Sequence, residues 1–144
     1  MKLYNEMCAY FSCMLMCAYD KPNKALYPFR NDRMLRIVFN NWKLSQGEAE
    51  HYFACATFNC SSYHFNTVIQ EASQLVSRRA ALPLYTVCMD ILSSGEPLGN
   101  AEKDVIYMLQ KHLNISQEDS EATNRFASNR YAALAVTFRA GSTV

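Results

Sequence analysis

Trp42-Lys-Leu-Ser-Gln-Gly-Glu-Ala-Glu50 decides how this chain reads. Ser45 with Glu48 three residues on is a capping-box pattern. The hydroxyl accepts a backbone N–H of the new helix, and the carboxylate reaches back to the N–H of the cap. A second start of this kind, Leu113-Asn-Ile-Ser-Gln-Glu-Asp-Ser-Glu121, lies 71 residues downstream, with Ser45 falling on Ser116. At the same offset Met34, Leu35, Ile37 and Val38 fall on Val105, Ile106, Met108 and Leu109, and Cys17 falls on Cys88, without a gap. The expectation is an all-α single domain over residues 1–144, with about seven helices in two pseudo-symmetric repeats at about 3–60 and 75–130. One half alone would expose too much apolar surface, whereas two halves share a core.

Apolar periodicity places the other elements around these starts. A first helix covers Leu3 to Tyr19, with Met7, Phe11, Met14, Leu15 and Ala18 on one stripe. Asp20 to Arg30 carries two prolines and reads as a loop. Asn31 serves as N-cap for a helix to Trp42. The helix opened by Ser45 runs to Phe58, followed by a break at Asn59–Ser62 and a fourth helix from Tyr63 to Ser77. Pro83 suits the first turn of a fifth helix that ends near Ser93. Ser94 to Gly99 is a loop, and Asn100 caps a sixth helix. The seventh runs from Ser116 toward Phe138 with a kink near Ser128-Asn129, and Gly141 to Val144 fray. Only four glycines and four prolines punctuate the chain, which argues against an all-β fold.

A net charge of +1 gives no bulk attraction to nucleic acid or to an anionic membrane. Arg30, Arg33, Arg36, Arg78 and Arg79 read as solvated helix faces. The apolar run from Met7 to Tyr19 is too short to span a bilayer. Glu6 interrupts its approach, no small-x-small cleavage site follows, and Met16 before Cys17 spoils a lipoprotein site. Six cysteines, mostly within apolar helical pattern, read as reduced thiols of a cytoplasmic protein.

Cys88-Met-Asp-Ile-Leu-Ser-Ser-Gly95, Asn100-Ala-Glu102, Val105-Ile-Tyr-Met-Leu109 and Leu113-Asn-Ile-Ser116 together resemble the TerB-like (tellurite-resistance) family. The resemblance covers Ala80 to about Asp119, while Phe11 to Glu50 is similar only in shape. It implies a pseudo-symmetric helical fold and a non-enzymatic role in stress-resistance or membrane-linked complexes. It also implies divalent-cation binding by loop carboxylates. Glu102 stands at the early helical Glu of that pattern, whereas Ser94 replaces the loop Asp before Gly95. Asp20 and Asp32 would be the first-half equivalents. A hard cation needs several converging oxygens, so the metal reading uses Asp20, Asp32, Glu96 and Glu102.

Other constellations have plainer readings. Cys13 and Cys17, with Cys8 a turn away, could face a soft metal, but paired Cys-x-x-Cys spacing is missing and core packing explains them. Cys55 and Cys60 straddle the end expected for the third helix, and a redox role would need a lowered pKa there. Glu48-Ala-Glu-His51 contains the Glu-x-x-His unit of di-iron bundles, without a counterpart at Asp119–Ala122. His51, His64 and His112 suggest no triad. Tyr27 and Phe29 sit in the proline-marked loop, where large apolar groups either fold back on the bundle or dock a partner. The function expected is therefore a non-enzymatic interaction or adaptor module for a protein partner. A divalent-metal module is the alternative, and an enzyme or redox protein using a helical cysteine comes third.

Overall fold

The structure, a computed structural model, describes residues 1–95 and 97–125. It is all-α, with α1 Glu6–Ala18, α2 Pro28–Arg36, α3 Gln46–Ser62, α4 Phe65–Ser73, α5 Arg78–Leu92 and α6 Asn100–His112. A π-helical turn Ile37–Asn41 extends α2, and residues 117–125 are again helical. The expected course of the last helix to Phe138, its kink and the fraying end lie outside the described residues.

The central helix is α1. Ten of its residues are buried, among them Phe11, Met14 and Cys17, and α2, α3, α4, α5 and α6 all pack on it. A helix that is apolar on every side has nowhere else to go. The single stripe read from the sequence is thus widened to nearly the whole circumference. Asn5 caps this helix, its side chain accepting from the Cys8 N–H, so the start falls three residues later than expected.

Asp20 to Arg30 is not a plain loop. Tyr19 and Asp20 (β1) pair antiparallel with Ala25 and Leu26 (β2) in a two-residue ladder, and the Tyr27 N–H donates to Ala18 O at 2.9 Å. The turn is closed by Lys24 at φ 52°. Next, α2 begins at Pro28, where its missing N–H costs nothing, so Asn31 is not the cap. The π-turn ends in a left-handed residue, Lys43 at φ 54°, and Asn114 ends α6 at φ 56°. These two positions are also 71 residues apart. Each precedes a serine cap: the Glu48 N–H donates to Ser45 Oγ at 3.2 Å, and the Asp119 N–H to Ser116 Oγ at 3.1 Å.

The break expected at Asn59–Ser62 does not occur, because α3 runs through it. Asn and Ser break helices when their side chains compete for their own backbone. Asn59 is buried and spent elsewhere. Its Oδ1 accepts from the Lys2 N–H, and its Nδ2 donates to Lys2 O and Ser12 Oγ. His64 caps α4, which stops at Ser73 rather than Ser77. The fifth helix starts at Arg78, capped by Ser77, so Pro83 lies inside it rather than in its first turn. Gly99, not Asn100, is the N-cap of α6.

Candidate functional site

Two concavities meet the surface where α5 approaches the first-half helices. The larger is an apolar groove of about 430 Å³ between α1 and α5, with the turn after the π-helix as its third wall. Met7 and Tyr10 line it from α1, Trp42 and Leu44 from the turn, and Ala80, Pro83, Leu84 and Val87 from α5. The α5 residues recur at helical spacing and form one stripe. Tyr10 brings the one phenol, and its O–H is already donated to Glu6. Glu6 also accepts the Ser77 N–H at 2.8 Å, tying the start of α1 to the start of α5. These bonds, the phenol's first, hold the Glu6 carboxyl below its ordinary value. Burial, then the carboxylate beside it, pushes Tyr10 up to about 12.

The second concavity, about 210 Å³, lies between the β1–β2 hairpin, α2 and the first turn of α6. Arg30 lines it and is only 1% exposed. Its Nε donates to Leu92 O at 3.1 Å and its Nη1 to Glu102 Oε1 at 3.1 Å. The Tyr27 ring lies 4.5 Å from the guanidinium carbon. Nη2 is buried and makes no hydrogen bond among the described residues. One turn on, Arg33 grips Asp90 of α5 through Nε at 2.9 Å and Nη2 at 2.7 Å. Of the five arginines read as solvated, Arg36, Arg78 and Arg79 are exposed, Arg36 pairing with Asp32 in the open, whereas Arg30 and Arg33 are spent on partners across the fold. The missed signal was positional: Arg30 is four residues before Met34, on the same inward stripe as Val38.

The metal residues expected from sequence are only partly brought together. Asp20 and Glu102 line the same cavity. Glu102 is spent on Arg30 and, through Oε2, on the Gly99 N–H at 3.1 Å. Asp20 accepts from Asn23 Nδ2 at 2.6 Å. Asp32 is not among the lining residues and pairs with Arg36, and Glu96 lies outside the described residues. No group of three or more His, Cys, Asp or Glu positioned for a metal occurs among the described residues. The expected partner residues divide as well. Tyr27 folds back over Arg30. Phe29 is 58% exposed while its side chain abuts Gly95.

All six cysteines are buried and unbridged. Burial raises the pKa of Cys13 and Cys60, and it pushes Cys55 up to about 12. Cys88 is raised first by its hydrogen bond with Cys17, then by burial. Such thiols stay protonated and poorly nucleophilic at neutral pH. The other motifs keep plain roles. Glu48 completes the capping box at Ser45. His51 stacks on Tyr4 with ring centroids 5.9 Å apart, and His64 Nδ1 accepts the Asn66 N–H at 3.2 Å.

No family model matches this sequence, and neither a curated protein nor a solved structure is found similar to it. The TerB-like resemblance therefore rests on the residues quoted for it. Among the described residues, no helix is long and apolar enough to cross a membrane.

Proposed function

We propose that this chain is a non-enzymatic helical interaction module that receives an apolar segment of a protein partner in the groove between α1 and α5. The observation that carries the reading is the lining of that groove: seven apolar side chains and one phenol already committed to a carboxylate. Apart from the Trp42 indole N–H such a surface offers little polar handle to a substrate, and its natural occupant is a row of apolar side chains. The burial of all six thiols, with Cys13, Cys55, Cys60 and Cys88 raised in pKa, supports a non-enzymatic role.

A duplicated scaffold belongs to the same proposal. It is supported by the matched left-handed turns at Lys43 and Asn114 and the serine caps that follow them. In this reading the groove is the seam between the halves. A cytoplasmic location and a stress-resistance setting of the tellurite type complete the proposal, the latter on the family resemblance alone.

The single tryptophan, Trp42, lines the groove and reports its occupation. A photo-crosslinking residue at Val87 in the full chain should capture one discrete partner in cells, and Leu44→Glu should abolish that capture. A crosslinker at Tyr107, exposed on α6, should not capture it. Crosslinks confined to this chain, or capture indifferent to Leu44→Glu, would overturn the reading.

A divalent-metal module remains the second proposal, favoured by Asp20 and Glu102 sharing one cavity. The Arg30 charge on Glu102 opposes it. Calorimetric titration with calcium, magnesium and zinc tests it, and silence at millimolar metal rejects it.

A further inference from the structure

We infer that the cavity between the hairpin, α2 and α6 is a binding site for a small monocarboxylate with a short apolar body. The inference stands apart from the groove proposal and uses none of its residues.

It begins with Arg30. A guanidinium carries five N–H donors and is always charged. Here one donor serves Leu92 O and one serves Glu102, so among the described residues three remain, and Nη2 has no partner there although it is sealed from water. A buried donor left unmade is costly, and one on a charged group more so. The residue carrying it lines an open volume of about 210 Å³. That is on the order of seven waters' share of liquid volume, which suits a molecule of a few carbons.

The lining sets the chemical class. Met16, Phe65, Leu92 and Val105 give it apolar walls. Its charged residues are Lys21 and Arg30 against Asp20 and Glu102, so the site is balanced before a ligand enters. A monoanion adds one negative charge opposite unpaired guanidinium donors. A phosphate dianion adds two in a space already holding two carboxylates, and a cation would meet Arg30. The planar edge of the guanidinium matches the two oxygens of a carboxylate. Nη2 is sealed in the unliganded chain, so binding must open a path to it, and the Tyr27 ring, which lines the same cavity over the face of the guanidinium, reports that change.

The test uses the full chain, isotopically labelled, titrated with sodium butyrate at constant ionic strength. The expected result is a saturable shift of the Arg30 Nε–H and Tyr27 ring resonances, with Trp42 emission unchanged. Butylammonium and butyramide should each bind at least about tenfold more weakly. Arg30→Lys should abolish the shift at Tyr27. Since that variant may also destabilise the fold, Ala101→Phe provides the second arm. It narrows the cavity from the exposed first turn of α6 and should weaken butyrate by about tenfold or more. Absence of saturation at millimolar butyrate, equal binding of butyramide, or indifference to Ala101→Phe would each overturn the assignment. Movement of Trp42 instead of Tyr27 would place the ligand in the apolar groove and overturn it as well.

Discussion

Glu102→Gln isolates the charge that balances Arg30. The amide oxygen still accepts the Gly99 N–H, so the helix cap survives, while Arg30 loses its buried counter-ion. Breaking a fully buried pair by neutralising one partner costs about 3–5 kcal/mol. Here Arg30 is 1% exposed but Glu102 is 16% exposed, which leaves water to relieve part of the penalty. The expected loss is therefore about 2–3 kcal/mol. With a urea dependence of about 1–3 kcal/mol per molar, the unfolding midpoint falls by roughly 0.7–3 M. The assay is equilibrium urea unfolding followed by far-ultraviolet circular dichroism and by Trp42 emission. Arg30→Met with Glu102→Gln should recover most of the loss, because two uncharged groups replace a desolvated pair. Refutation would be a Glu102→Gln variant within about 0.5 kcal/mol of the parent. Another would be a double variant as unstable as the sum of its singles.

Three further outcomes follow from the same contacts. Glu6 has a folded-state pKa below its ordinary value of 4.5, so its bonds stabilise the fold above that pH and are lost as pH falls below it. Glu6→Gln should therefore be less stable than the parent at pH 7 and should close that gap under acid, as read by thermal unfolding across pH. Every thiol should resist a disulfide reagent until the chain opens, so that labelling rates track denaturant; even one thiol reacting at once in native buffer contradicts their burial. Gly95→Ala should cost about 1–2 kcal/mol in the same urea assay, since φ is +82° there and the new methyl meets the Phe29 side chain; a neutral result would show that the loop does not hold this approach.

Local chemistry in the chain was enough to predict several of these elements. Ser45 and Glu48 form the expected capping box, and Ser116 caps its helix as read. The apolar runs of α1, α5 and α6 specify helices because their period survives any packing. Misreadings arose where a side chain's partner is distant in sequence. Asn59 looks like a helix breaker until Lys2 and Ser12 occupy its amide. Arg30 looks like a solvated cation until Leu92 and Glu102, 62 and 72 residues away, take its donors. The same bonds set Glu102 beside a buried arginine as its counter-ion, a pairing that no local pattern announces.

The sequence by itself thus determined the helical class and the serine caps, because hydrogen bonds and periodicity within a few residues decide those. Only the tertiary structure decided that α1 lies at the centre, that Tyr27 folds back while Phe29 stays exposed, and that Arg30 lines a cavity with an Nη2 unpaired among the described residues. Burial and charge pairing depend on which distant surfaces meet, and no local pattern carries that information.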